Sequence, residues 1–565
     1  MKLITQRWQI LTILVLAAML VPIWIGPYPP LYDYPNHLLE AQIVAHYDDP
    51  HLAYADSYDI NPAWYLRSNA LSTLMLIGLG RLMSMYLAGQ LVLSLYLVLF
   101  VGGLVLLLQR SGMTWPLLLL APPLAYNYNF TTGWLNFCYA TALGLFVLVV
   151  YLRWQETDRP RNLLGLGLLL GLVYMAHLMV WGLLLVIISA MISVEPYRLR
   201  RHGLLLLAMN SAFPFLLITR PLLAGVVLLI GPLIWGGLAV LRRLHLKPNT
   251  IILGGIVLVI AFTGIARITE PLYQKSHPEL TYSEWDKLSI PWRTFTLPHQ
   301  YMPLNPMLIG YNLVLLILIL AVGSLLTWSI RKSPEAKTRW LIAMGLLGLL
   351  YFILPSRTSD IWVTEPRVLL LLVLVALPLV DLSGLGPSLQ RVTSICLLVL
   401  CLWSVGGTIW YAHFYAQQTQ IWHEQMSSLA PAKRILLLRA KRGVYLNRPT
   451  LLGSFNRFYD GQHLSTIYVI EQGGFSSIVF NNGPVRPRPD IPIPAYDWPG
   501  FSDRDYVAEN CAALRESYEA VLFWGNPDSG SVIDQLDQCF SPGPRWADMA
   551  IWYHPDLQDR TANRY

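Results

Sequence analysis

Apolar stretches of about twenty residues recur along this chain, and no other feature narrows its fold so much. A helix needs about 20 such residues to cross a hydrocarbon layer, and lipid-exposed backbone must satisfy its own hydrogen bonds. The runs 8–26, 87–108, 133–152, 203–219, 221–241, 250–268, 306–329, 338–354, 366–386 and 392–412 meet that length. The run 116–130 is shorter. The run 162–194 is too long for one span and is interrupted by His177, so it reads as two short spans joined by a tight outer turn. The sum is about thirteen spans. Only 13% of residues are charged and mean hydropathy is +0.47, against about 25% charged in soluble domains. The 565 residues could fill about three to four soluble domains by length. They divide instead into a transmembrane domain, 1–412, and a polar C-terminal region, 413–565. Lys2 and Arg7 precede the first run as in a signal peptide. That run is long, ends in Pro-rich sequence and lacks a small-x-small cleavage site, so an uncleaved span is expected.

The net charge of +7 does not form a nucleic-acid surface, because the basic residues lie in short clusters between apolar runs. With the N-terminus inside, inner loops hold Arg110; Arg153, Arg159 and Arg161; Arg198, Arg200 and Arg201; Arg242, Arg243 and Lys247; and Arg331, Lys332, Lys337 and Arg339. All fall on one side, as the positive-inside rule requires. This parity holds only if 68–86 does not span. Leu71, Leu74, Met75, Ile77, Gly78 and Leu82 recur there at helical spacing beside Arg81, which predicts a helix lying in the outer interface. Two outer loops follow, 27–86 including that helix and 269–305, and the C-terminal region lies on the same side. Its short apolar runs Arg434–Leu438, Ile467–Ile470, Ser477–Phe480 and Val521–Trp524 read as strands among helices, a small mixed α/β domain. Pro484–Pro499 reads as an extended connector or surface loop. Cys138, Cys396 and Cys401 fall in apolar runs as packing residues. Cys511 and Cys539 lie in the polar tail and would pair only in an oxidising compartment.

Polar groups gather at the outer ends of these spans. Between 27 and 67 stand Asp33, Glu40, Asp48, Asp49, Asp56 and Asp59, against the single basic residue Arg67. Pro35 suits the first turn of a helix, which puts His37, Glu40, Ala41 and Val44 on one face and Asp33 at the positive end. There Asp33 either caps the helix or serves as a general base. Tyr126, Asn127, Tyr128, Asn129, Trp134, Asn136 and Phe137 set amides among aromatics, equipment for a sugar or a polar head group; an interfacial aromatic belt accounts for the rings but less well for the amides. His177 is either a functional ionisable group at membrane depth or a satisfied interfacial histidine. Lys275, Lys287 and Arg293 in the second outer loop are anion-binding candidates within a mixed-charge, solvated segment. In Glu365-Pro366-Arg367, Arg367 opens a long apolar run, where a guanidinium grips phosphate in bidentate fashion or snorkels to lipid head groups. Walker A, GxSxG and HExxH sequences are absent, and the inner loops are too short for a nucleotide-sugar site.

This arrangement resembles the GT-C superfamily of glycosyltransferases. The shared features are an acidic residue in the first outer loop directly after the first span, an amphipathic outer helix, about thirteen spans and a C-terminal extracytoplasmic α/β domain. The strings Asp33–Glu40, Asn129–Phe137, His177 and Glu365–Arg367 also resemble those of bacterial membrane proteins assigned to it. The resemblance implies a mainly α polytopic fold in the bacterial inner membrane and a polyprenyl-phosphate-linked sugar donor. The acceptor would be a lipid, glycan or protein, and transfer would be inverting. Asp33 matches the family's base, with His37 and Glu40 supporting it. Arg367, Arg293 and Lys275 would hold the donor phosphate, and Asn129, Trp134, Asn136, His177 and Glu365 the sugar or acceptor. Many members carry a second acidic residue beside the first, whereas Tyr34 follows Asp33 here. Without clustered carboxylates no obligatory metal is expected. The competing readings are a transporter or flippase of lipid-linked sugars, which calls for ionisable groups at the midplane, a polysaccharide polymerase or ligase, and a non-catalytic assembly subunit.

Overall fold

A computed structural model describes residues 2–112, 115–192, 334–354, 365–383, 385–427, 434–439, 464–476, 483–489, 491, 506–524, 531–545 and 549–556. It is mainly helical, with a mixed sheet toward the C-terminus. Among the described residues three helices are long and apolar enough to cross a membrane. Two of them are α4 (Met85–Arg110) and α7 (Leu135–Thr157). The third is the first part of α12 (Pro387–Ser427), whose 41 residues reach about 60 Å at 1.5 Å per residue. α7 is the central one: 83% of its most apolar window is buried, against 56% for α4 and 33% for α12. Around them stand α1 (Lys2–Trp24), α8 (Pro160–Ala176), α9 (Leu178–Ile192), α10 (Pro334–Ile353) and α11 (Glu365–Ala376). The expected spans 203–219, 221–241, 250–268 and 306–329 lie outside the described residues, as do the loop 269–305 and its Lys275 and Arg293.

Two expected spans are corrected. The run 366–386 is helical only as α11 and a 3-10 turn at Leu377–Leu379, Pro378 and the extended Val380 ending it. Residues 116–130 form no continuous rod: a 3-10 turn at Trp115–Leu120 leads into α5 (Ala121–Ala125), then a bend, then α6 (Tyr128–Thr131). Pro116, Pro122 and Pro123 remove backbone donors, and the Asn127 side chain accepts from Asn129 N at 2.8 Å to start α6 afresh. The broken segment still carries the chain from one end of the bundle to the other. Arg110 and Glu156 pair where α4 and α7 end, and Arg339 donates to Gln155 at 2.9 Å on that same side. At the opposite end, Thr131 and Thr132 carbonyls accept from Tyr32 N and Asp33 N, each at 3.0 Å. The run 162–194 divides as its sequence predicts, into α8 and α9, with His177 extended between them.

The segment after α1 forms a cap at the Asp33 end. It holds α2 (Tyr34–Ala45), a short strand β1 (Tyr58–Ile60) and α3 (Leu71–Gly80), the last within the stretch expected to lie in the interface. Here α3 packs beside α2, α4 and α7. The C-terminal region carries β2 (Arg434–Arg439), α13 (Leu464–Gln472), β3 (Phe475–Ser476), β4 (Val485–Pro487), α14 (Tyr506–Ser517), β5 (Ala520–Trp524), α15 (Ser531–Cys539), β6 (Ser541–Arg545) and β7 (Met549–Tyr553). Its main sheet runs β3-β2-β5-β7-β6, parallel across β3, β2 and β5 and antiparallel beyond. Ile467–Ile470 is not a strand but the middle of α13. The run is buried on every side, and a short apolar run reads the same in either state. Of Ser477–Phe480 nothing lies within the described residues, β3 ending at Ser476. Part of the Pro484–Pro499 connector is β4. Cys511 and Cys539 are disulfide-bonded, joining α14 to α15.

The C-terminal region docks on the cap of the first loop. β4 pairs antiparallel with β1, Tyr58 opposite Pro487. The Tyr54 hydroxyl donates to Val469 O at 2.8 Å and that of Tyr58 to Ser476 O at 3.0 Å, while Gly474 N donates to Leu52 O at 2.8 Å. Main-chain bonds of this kind fix register as well as contact. The two segments therefore share one end of the bundle.

Candidate functional site

Asp33 occupies the position just before α2, but its side chain makes no capping bond. The carboxylate turns instead toward α7 and α11, where it accepts a hydrogen bond from the Trp134 side chain and feels the charge of Arg367. Burial pushes its carboxyl up from the ordinary value to about 7, against the downward pull of Arg367 and Trp134. The backbone beneath it is fixed by a tight turn. Gly133, at φ +80°, lies so close that a Cβ there would stand 2.7 Å from Asp33 N and 2.9 Å from Tyr34 N. Gly133→Ala is expected to lower stability by about 1–3 kcal/mol and to displace Asp33. Gly78→Ala, on a helix face with nothing within 4 Å, serves as its control in thermal unfolding.

Arg367 sits in the first turn of α11, where Pro366 costs no helical bond. Its guanidinium lies 4.1 Å from the centroid of the Trp134 ring and 5.8 Å from that of Phe137. The Phe137 ring meets His177 edge-on at 5.4 Å. Arg367 is 7% exposed, His177 6% and Asn129 fully buried. Arg367 Nε, His177 Nδ1 and Asn129 Oδ1 have no hydrogen-bond partner among the described residues. Buried polar atoms are seldom left so, which makes this group a candidate for binding. The Asn129 amide Nδ2 reaches Pro366 O at 3.3 Å, which ties α6 to the start of α11.

Asp33, Trp134, Asn129, His177 and Arg367 thus come together from four separate stretches of sequence. Other expected site residues lie apart from this group. Asn136 has both ends occupied, Nδ2 donating to Asn69 O at 2.7 Å and Oδ1 accepting from Ser72 N at 2.9 Å. It supplies the acceptor that the first turn of α3 lacks and is not free to hold a sugar. His37 is buried and hydrogen-bonded to the Gly133 backbone, and burial lowers it to about 4, so it is a neutral brace under the turn. Glu40, about 10 Å along the axis from Asp33, presses its carboxylate against Gly483 of the C-terminal region. The side chain of Glu365 lies outside the described residues. Phe137, part of the expected stretch of amides and aromatics, joins the site, and so does Gly133, which was not expected there: a lone glycine carries no signal of what it touches. Among the described residues no three His, Cys, Asp or Glu side chains converge as a metal set would.

No family model and no curated protein matches this sequence. The functional reading therefore rests on the site's own geometry.

Proposed function

We propose that this protein is a membrane glycosyltransferase that moves a sugar from a polyprenyl-phosphate donor to an acceptor hydroxyl. In this reading it is a polytopic protein of a bacterial inner membrane with about thirteen spans, its N-terminus cytoplasmic and its C-terminal domain extracytoplasmic. One observation carries the reading. A carboxylate with a raised pKa lies within the electrostatic reach of a buried guanidinium whose Nε has no partner among the described residues, at the end of a helix bundle and on the side where the C-terminal domain docks. Arginines at the opposite end of the described helices support the orientation.

Asp33 takes the proton from the acceptor hydroxyl, whose oxygen attacks the anomeric carbon. The bond from that carbon to the phosphate oxygen breaks, and the polyprenyl phosphate leaves with the electron pair, so configuration inverts. Arg367 meets the charge that builds on the leaving phosphate. Asn129 and His177 are within the same group to hold the sugar. A small apolar cleft lined by Pro22, Ile23, Leu31, Phe130, Thr408 and Tyr411 lies between α1 and α12 beside the Asp33 segment.

The test is mass spectrometry of lipid-linked and surface glycans from cells lacking the protein, complemented by wild type or Asp33→Asn. Wild type alone restores the missing sugar. Unchanged glycans in the deletion strain would sink the reading, and accumulation of donor on one leaflet would favour a flippase. A reporter fused after Tyr565 is expected to give an extracytoplasmic signal; a cytoplasmic one overturns the topology.

A further inference from the structure

We propose that Glu471, in the C-terminal domain, is a positioning residue that sets the Tyr28–Asp33 segment through Tyr28. The inference rests on the reading of Asp33 as the base. Glu471 is the penultimate residue of α13, and its side chain is 12% exposed. Its Oε1 accepts from Tyr86 of α4 at 2.7 Å and meets His423 Nδ1 of α12 at 2.6 Å. The Tyr28 hydroxyl donates to that of Tyr86, lies 3.4 Å from the same carboxylate oxygen, and the two rings meet edge-on at 4.7 Å. One carboxylate from the C-terminal domain therefore links α13 to α4, to α12 and, through Tyr86, to the Tyr28 segment. A carboxylate is acceptor-only and ends such a relay of donors; burial keeps the Tyr28 phenol protonated at its start.

What Glu471 holds is the upstream end of the site. Tyr28 is 1% exposed and is followed by Pro29 and Pro30, whose rings fix φ. Leu31 N then turns back to Pro29 O at 2.7 Å. Two residues later Asp33 N is bound to Thr132 O. Gln90 of α4 holds the approach from the other side, donating to Ile23 O at 3.2 Å and Gly26 O at 3.0 Å. Docking of the C-terminal domain does not require Glu471, because β1–β4 pairing and the Tyr54 and Tyr58 hydroxyls already provide it. Those contacts all lie downstream of α2. The carboxylate adds a grip upstream of Asp33, on a stiff tether of five residues from Tyr28.

The experiment uses the full chain in nanodiscs, as wild type, Glu471→Gln and Glu471→Ala. Amide hydrogen exchange over 27–34 is expected to speed up by about tenfold or more in Glu471→Ala, the loss of one charge-assisted hydrogen bond, while β5 and β7 keep their protection. Glu471→Gln retains one carbonyl acceptor and should loosen the segment less. Transfer is read against pH in the same samples. Around Asp33 stand Arg367 on α11, the Trp134 indole on α7, His177 between α8 and α9, and His37 on its own helix. Wild type should show an acid limb near pH 7. In Glu471→Ala water gains access to Asp33, so the limb moves toward lower pH, a shift that mere loss of folded protein cannot produce. Unchanged exchange over 27–34 in both variants overturns the proposal. So does faster exchange with an unmoved acid limb. If wild type shows no transfer, the glycosyltransferase reading fails, and the exchange result alone then decides whether Glu471 holds the segment.

Discussion

Replacing Asp33 by asparagine is expected to cut sugar transfer by about 10²–10⁴-fold, the usual contribution of a general base, with the protein still folded. The folding half of that expectation follows from the sign of the pKa change. Burial favours the protonated carboxyl, so the folded state holds this proton more tightly than the unfolded chain does. The stability that goes with the proton is present below about pH 4 and is lost as pH rises through about 7. Asparagine cannot ionise and escapes that loss. The variant should therefore unfold no more readily than wild type at pH 8, while wild type shows stability that falls between about pH 4 and 7 and then levels off. Activity runs the other way, since the base works only when ionised: wild-type transfer should climb through about pH 7 and level off. A variant with normal product, or one inactive because it fails to fold at pH 8, would remove Asp33 from the role. Thermal unfolding and transfer measured on one preparation separate the two.

Much of the architecture was legible in the sequence because the physics that builds it is local. Apolar length predicted α4, α7 and α12, and His177 correctly marked the break between α8 and α9. The single run 116–130 misled because its three prolines and Asn127 outweigh its hydropathy. Ile467–Ile470 misled for a different reason, since a short run buried on all sides carries no period. At the site, Asp33, Asn129, Trp134, His177 and Arg367 were each visible as polar or aromatic residues at the outer ends of apolar runs, and topology gathered them on one face. What could not be read was which amides are already spoken for. Asn129 and Asn136 look alike in sequence, yet Asn136 has its amide on Asn69 O and its oxygen on Ser72 N, while the Asn129 oxygen has no partner among the described residues. Glu471 was invisible for the same reason, as its partners Tyr28, Tyr86 and His423 lie up to 443 positions away in sequence.

Arg367→Met separates binding from stability more sharply than any other change in the site. Arg367 lies over Trp134 and its Nε has no partner among the described residues, an arrangement that costs solvation and that a bound anion would offset. Methionine fills similar volume without that cost. Below pH 7 Asp33 is protonated and no charge is stranded by the exchange, so stability should hold or rise. Above pH 7 the ionised Asp33 loses its counter-charge and stability should fall. Transfer should drop by about 10²–10³-fold at every pH, the scale for one lost donor to developing negative charge. Its acid limb should also move upward, because the Arg367 charge does most to hold the Asp33 carboxyl down against burial. That is opposite in direction to the shift expected of Glu471→Ala. Lysine at 367 should restore the limb but little of the rate, since a point charge can neither stack on Trp134 in the same way nor present a planar fork to phosphate. An unmoved acid limb in Arg367→Met, or full transfer in Arg367→Lys, would mean that the guanidinium serves the fold rather than the donor.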